Sequence, residues 1–253
     1  MTQDLFRADA YLTECQATVS AITPQGIVLD RTVFYPLGGG QAGDAGALVL
    51  VDGSQIAIVD TRKGKNEDGS FNDAICHLPA PDELATLLAQ AQPAHVAVGD
   101  AVTARLDWTR RHRLMRFHTT THLLCHLVPQ LVNGCSITAD YARLDFNMTE
   151  ALDKEALTEG IARLVAARHA VSVGAITDEE LDANPALVKS MSVQPPRGSG
   201  RIRTIRIGEA ELIDFQPCGG THVANTAEIG AVIVTRIEKK SASTRRVVLG
   251  FAA

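Results

Sequence analysis

The sequence predicts an α+β chain in two parts: a small β-barrel or sandwich over residues 1–106, and long helices against antiparallel strands over 107–253. Three features predict it. Short apolar runs separated by Pro, Gly and Asp fill the first hundred residues. Two helical stripes follow, from Asp107 and from about Thr149. Longer strand-like runs then reach Phe251.

In the first part the apolar runs are Ala17–Ile22, Gly26–Leu29, Ala47–Val51 and Gln55–Val59, too short and too regularly spaced for helices. The polar stretch Arg62 to Asn72 predicts a long exposed loop. Pro79, Pro81 and Pro93 bracket DELATLLAQAQ, a short connecting helix, and His95–Leu106 predicts one more strand. Asp107 suits a helix N-cap, because its carboxylate accepts amide hydrogens that the first turn leaves unbonded. Leu114, Phe117, Thr121, Leu124 and Val128 then recur at helical spacing until Pro129 stops the helix. Leu152, Leu157, Ile161, Leu164, Val165 and Arg168 mark the second helix. Strands are predicted at Val171–Ile176, Ile202–Ile207, Glu211–Phe215, Ala231–Glu238 and Arg245–Phe251.

Composition excludes several classes. No apolar run approaches the roughly 20 residues that span a bilayer, and the N-terminus MTQDLFRADA lacks the basic and apolar regions of a secretory signal. A cytoplasmic protein with no membrane partner is expected. Cys15, Cys76, Cys125, Cys135 and Cys218 are odd in number and irregular in spacing, which argues against a disulfide framework. Net charge is -5, which alone disfavours nucleic acid. Yet fourteen of the 24 Lys and Arg residues crowd into three short runs, 105–116, 197–206 and 236–246, which hold only Asp107 and Glu238 as acids. An acidic protein can still show a basic face if the fold gathers them.

Two pairs of residues carry the chemistry. His118 and His122 stand four apart on the first predicted helix, so both imidazoles share one face. The run is HTTTH, without the Glu that follows the first His in zinc proteases, which disfavours that class. Cys218 and His222 are also four apart, with Gly219 and Gly220 between them to allow a tight loop. Together they offer one sulfur and three nitrogens, a suitable tetrahedral set for one zinc ion. Cys125 and His126 continue the same helix as competing ligands, with packing the preferred reading. His77, His95, His112 and His169 have no sequence partner and are taken as structural.

Read together, these segments resemble the alanyl-tRNA editing family. Asp107–His122, DWTRRHRLMRFHTTTH, is similar to its HxxxH helix, and Gln216–Gly230, QPCGGTHVANTAEIG, to its CGGTH segment. Phe34–Gly46, FYPLGGGQAGDAG, is similar to its glycine-rich motif, and Gly134–Phe146, ending in YARLDF, to a strand flanking the helix. Order and rough spacing agree over nearly the whole chain. The resemblance implies the free-standing AlaX type in its medium form, with an N-terminal β-barrel domain (1–106) and an α+β zinc-binding editing domain (107–253). It implies deacylation without aminoacylation activity.

That activity answers a limit of small pockets, which cannot exclude a side chain that merely adds a hydroxyl or is smaller. The expected substrate is seryl-tRNA(Ala), with glycyl-tRNA(Ala) second, and the expected partner is the acceptor end of the aminoacylated tRNA. Alternatives are seryl-tRNA(Thr) editing and a non-catalytic tRNA-binding module with structural zinc. His118, His122, Cys218 and His222 are the expected ligands. Gln41 is a catalytic candidate, since its amide can donate to a carbonyl and accept from water. Thr119 or Thr120 is the candidate reader of the seryl hydroxyl. Gly38, Gly39 and Gly40 would let backbone approach the acylated adenosine. Arg110, Arg111, Arg113, Arg116, Lys239 and Lys240 are expected on tRNA phosphates. Protein partners are not legible.

Overall fold

The structure is a computed structural model that describes residues 2–89, 96–195 and 200–252. In chain order the elements of the first part are β1 (Gln3–Asp4), β2 (Glu14–Thr23), β3 (Gly26–Leu29), β4 (Arg31–Thr32), β5 (Gly46–Leu50), β6 (Gln55–Lys65), β7 (Phe71–Pro79), α1 (Pro81–Leu88) and β8 (Ala101–Leu106). There follow α2 (Trp108–Leu127), β9 (Val132–Ile137), β10 (Ala142–Asn147), α3 (Lys154–Ala166), β11 (Val171–Ile176) and α4 (Asp178–Ala183). The last are β12 (Ile202–Ile207), β13 (Asp214–Pro217), β14 (Val232–Ser241) and β15 (Thr244–Phe251). Among the described residues no helix is long and apolar enough to cross a membrane.

The chain divides into two compact units, one of Met1–Gly38 and Ala42–Arg111, the other of Gly39–Gln41 and His112–Ala253. The glycine-rich segment is therefore split, because Gly39–Gln41 packs with the second unit, and the first turn of α2 belongs to the first. In the first unit β2, β3, β7, β6, β5 and β8 close into a barrel. Alternation along the strands turns Ala17 and Val19, Ile56 and Ile58, and Val102 and Ala104 inward onto Ile27, Leu29 and Leu48.

Three expectations for this unit are corrected. Arg62–Asn72 is mostly a hairpin: β6 runs on to Lys65 and β7 starts at Phe71. Its residues read as loop because both faces are polar, and no apolar alternation marks it. The last barrel strand begins at Ala101, since Val98 and Gly99 form a turn closed by Asp100 N on the Ala97 carbonyl, and His95 lies outside the described residues. Arg111 is wholly buried. Its guanidinium pairs with buried Asp44 and donates to the carbonyls of Ala10 (2.8 Å) and Val33 (2.7 Å), so it is closed to any phosphate.

The second unit has a sheet in the order β14-β15-β10-β9, against which α3 packs, and a smaller sheet β11-β12-β13. α3 starts at Lys154, capped by Asp153, later than the stripe from Thr149 suggests. Arg168 falls beyond its end, with a left-handed φ of 58°. β13 starts at Asp214 rather than Glu211. From Phe117 to Cys125 every residue of α2 is buried, so the helix is enclosed rather than amphipathic there.

Candidate metal centre

The second unit brings His118, His122, Cys218 and His222 together, with one ligand atom from each within 4.8 Å of the others. The two imidazoles of α2 approach because the helix repeats every 3.6 residues. The Cys218–His222 loop follows β13 and turns back over the helix. Arg203 on β12 pins that loop, donating from Nη1 to the carbonyls of Cys218 (2.7 Å) and Gly220 (3.0 Å). Gly220 must be glycine, because a Cβ there would stand 2.1 Å from His118 Cε1.

Each imidazole is held by its outer nitrogen. His118 Nδ1 donates to Gln41 Oε1 (2.7 Å) and His122 Nδ1 to Asp214 Oδ2 (2.7 Å). His222 Nδ1 meets Thr119 Oγ1 (3.2 Å), which already donates to the Met115 carbonyl (3.0 Å) and so accepts from the ring. Three acceptors hold the three Nδ1–H groups in the same way, which turns each Nε2 toward the centre. The Cys218 sulfur lies 3.5 Å from His118 Nε2 and 3.3 Å from His222 Nε2. A tetrahedral ion with bonds of about 2.3 Å to sulfur and about 2.05 Å to nitrogen has S···N edges of about 3.6 Å. The cluster could hold a metal ion, and its size and donors are compatible with zinc.

The electrostatics agree with a cation site. Burial opposes ionisation of the Cys218 thiol, but the His118 and His222 imidazoles beside it outweigh burial and hold it well below the usual thiol range. Burial pushes His222 well below the usual imidazole range, keeping it neutral. His122 is opposed by burial too, yet Asp214 and the sulfur carry it up to about 9. Ligand nitrogens must be unprotonated, so an ion here displaces a proton from His122.

The other expected residues have these surroundings. Gln41 is buried, with Oε1 accepting from His118 and from Thr221 N (3.1 Å) while Nε2 donates to Thr221 Oγ1 (2.9 Å). It braces His118 through Oε1 and spends one of its two amide N–H groups on Thr221. Thr119 stands behind His222, and the Thr120 hydroxyl donates to the Arg116 carbonyl (2.8 Å) and keeps its acceptor lone pairs. Gly40 accepts from Ile137 N (2.7 Å), Gly39 lies in the second unit, and Gly38 in the first. Arg110 reaches the Gly43 carbonyl within the first unit. Arg113 and Arg116 donate from Nε to the carbonyls of Ala139 (2.6 Å) and Ile229 (2.7 Å). Lys239 and Lys240 are exposed. Of the run 197–206, residues 197–199 lie outside the described residues. Cys125 is buried and His126 donates to the Ile213 carbonyl (2.9 Å), so neither joins the cluster.

Asp214 and Lys189 are site residues that sequence reasoning missed. The buried Asp214 carboxylate holds His122, pairs with Lys189 and accepts from Gln216 Nε2 (2.9 Å). Burial opposes its charge, but His122 and Lys189 bring it down to about 2. Position within EAELIDFQPC, four residues before Cys218, was the one available signal.

Comparison with known proteins gives two family matches. The model described as "Threonyl and Alanyl tRNA synthetase second additional domain" matches residues 202–248, and "tRNA synthetases class II (A)" matches 7–110. The chain is 33% identical to the alanyl-tRNA editing protein AlaX-M of Methanosarcina mazei, across 97% of this chain and 95% of that one. It is also 33% identical to the protein of the same name from Methanosarcina barkeri, across 97% of each. It is 31% identical to the alanine–tRNA ligase of Saccharolobus islandicus, across 94% of this chain and 25% of the ligase.

Proposed function

This chain belongs to the alanyl-tRNA editing protein family of the AlaX-M type, an editing enzyme family, and on that basis we propose that it deacylates seryl-tRNA(Ala) at a zinc centre. Glycyl-tRNA(Ala) is the second substrate of this reading, and the cytoplasm, where tRNA is charged, is its place. The observation that carries it is the quartet His118, His122, Cys218 and His222, with each imidazole locked by an outer partner. Bound zinc would supply a positive charge that polarises an acyl carbonyl and lowers the pKa of a water.

The chain's own residues do the rest. Gln41, Asp214 and Thr119 orient the ligands, and Arg203 keeps the Cys218–His222 loop against α2. Cys218 is the only member of the quartet that is not buried, so the acyl ester approaches from its side. Lys239 and Lys240, exposed on β14, supply phosphate contacts that raise affinity without reading sequence.

One observation favours a second reading. Four protein ligands fill a tetrahedral zinc, and such closed sites are usually structural. In that case the chain binds tRNA without cleaving it. Metal analysis coupled to hydrolysis of seryl-tRNA(Ala) and alanyl-tRNA(Ala) tests both. The editing reading expects one zinc per chain, cleavage of the seryl ester at least tenfold faster than the alanyl ester, and loss of metal and activity together in His118→Ala and Cys218→Ala. Binding without cleavage would leave the structural reading. Because one matching family model is described by threonyl as well as alanyl synthetases, seryl-tRNA(Thr) belongs in the same assay as a competitor.

A further inference from the structure

On the second unit, Arg113 and Arg116 stand three apart on α2, which makes them neighbours on the helix surface. Both guanidinium carbons lie against one ring, 4.4 Å and 4.1 Å from the centroid of Phe251 at the end of β15. Each spends its Nε on a backbone carbonyl, of Ala139 and Ile229 respectively. That leaves the terminal Nη groups of both as the donors not spent on these carbonyls. Gly230, held at a left-handed φ of 65° that favours glycine, leaves room beside Arg116 Nη2, which a Cβ there would approach to 2.9 Å.

Two half-buried cations held side by side repel, and burial together with Arg113 lowers Arg116 below its usual range. The nearby carboxylate of Glu228 faces His112 (3.9 Å) and accepts from Asn225 N (3.0 Å). No carboxylate pairs with Arg113 or Arg116 among the described residues. The arrangement is preorganised: the rotamers are fixed by the ring and the carbonyls, and the charge is uncompensated. A planar fork of this kind matches the oxygens of a phosphate, which a lysine point charge does not.

We propose that Arg113 and Arg116, braced on Phe251, form a clamp that takes a single phosphate of the RNA substrate. The identity of the ligand as RNA rests on the editing reading; the clamp itself rests on its own geometry. Two arginines on one phosphate differ measurably from two arginines on two. Each phosphate neutralised contributes about 0.9 to the slope of log affinity against log salt on duplex RNA or DNA-like backbones. Removing both charges should therefore lower the slope by about one, not two.

The test is binding of uncharged tRNA(Ala) to the full chain by fluorescence anisotropy over a range of salt. Arg113→Gln/Arg116→Gln retains an N–H donor for the two carbonyls but no charge, and it should bind about tenfold more weakly, with the slope reduced by about one. Arg113→Lys/Arg116→Lys should keep the slope and lose severalfold affinity, because charge persists without the fork. Zinc content and thermal melting verify the fold, and if the double variant is damaged each single Gln substitution is scored by the same slope. An unchanged slope in the Gln variant, a drop of about two, or no tRNA binding by the unsubstituted chain would overturn the clamp. A chain that binds through the clamp yet leaves seryl-tRNA(Ala) intact would remove the editing reading alone.

Discussion

Asp214 shows how a residue outside the ligand set governs it. Its carboxylate is buried and divides its oxygens between His122 and Lys189. A carboxylate behind a ligand histidine fixes the ring and raises its basicity, and losing such a partner typically costs ten- to a hundredfold in metal affinity. Asp214→Asn keeps the shape and removes the charge. We expect zinc affinity, measured by competition with a chromophoric chelator, to fall by about tenfold with little change in overall fold. Retention of full affinity would mean that Lys189 already neutralises the carboxylate. The quartet itself was legible in sequence, because a four-residue spacing on a helix and across a Gly-Gly loop has few geometric outcomes. Asp214 was not, since it meets His122 across 92 positions and only folding brings them together. Gln41 and Thr119 were singled out as polar groups of the site, and the structure places both behind the imidazoles, Gln41 on His118 and Thr119 on His222. Nothing in sequence says which atoms a buried amide or hydroxyl has already committed.

At the scale of elements, legibility followed local chemistry. The start of α2 was readable because Asp107 accepts from Arg110 N (3.0 Å), as a capping carboxylate should. The length of β6 and β7 was not, because Arg62–Lys65 carries no apolar alternation and Phe71 is a lone apolar residue beside Asn72, so these ends owe their strand form to pairing. The short helix α4 escaped notice despite its capping box, in which Thr177 and Glu180 each bond the other's backbone amide. The α2 cap supports a prediction. Asp107→Ala should lower stability by about 1 kcal/mol in urea titration, the usual worth of such a cap, and Asp107→Asn should restore most of it. Equal loss in both variants would indicate that the charge at the helix start, rather than the hydrogen bond, is what stabilises.

For the whole molecule the two units respond to different perturbations. The second holds the quartet, so a chelator acts there. The first holds His77, wholly buried, whose Nδ1 donates to the Ile27 carbonyl (3.0 Å) and whose Nε2 accepts from Thr32 Oγ1 (2.7 Å). Burial pushes this imidazole from 6.5 down to about 4, with the Ile27 hydrogen bond opposing only in part. Above pH 6.5 both folded and unfolded chains leave it neutral, and stability is unaffected. Between pH 6.5 and about 4 the unfolded chain binds a proton that the folded barrel refuses, so stability falls as pH falls. The loss is about 2 kcal/mol at pH 5 and levels off near 3 kcal/mol once the folded imidazole also protonates. Carboxylates titrate over part of the same range, so the comparison must be with His77→Gln, which keeps a donor and an acceptor but cannot titrate. Urea midpoints of the first unit, followed by hydrogen exchange of its peptides, should converge between the two proteins as pH drops from 7 to 5. Parallel pH profiles would mean that the barrel admits the proton at no cost, and that His77 is not the neutral core residue its two hydrogen bonds require.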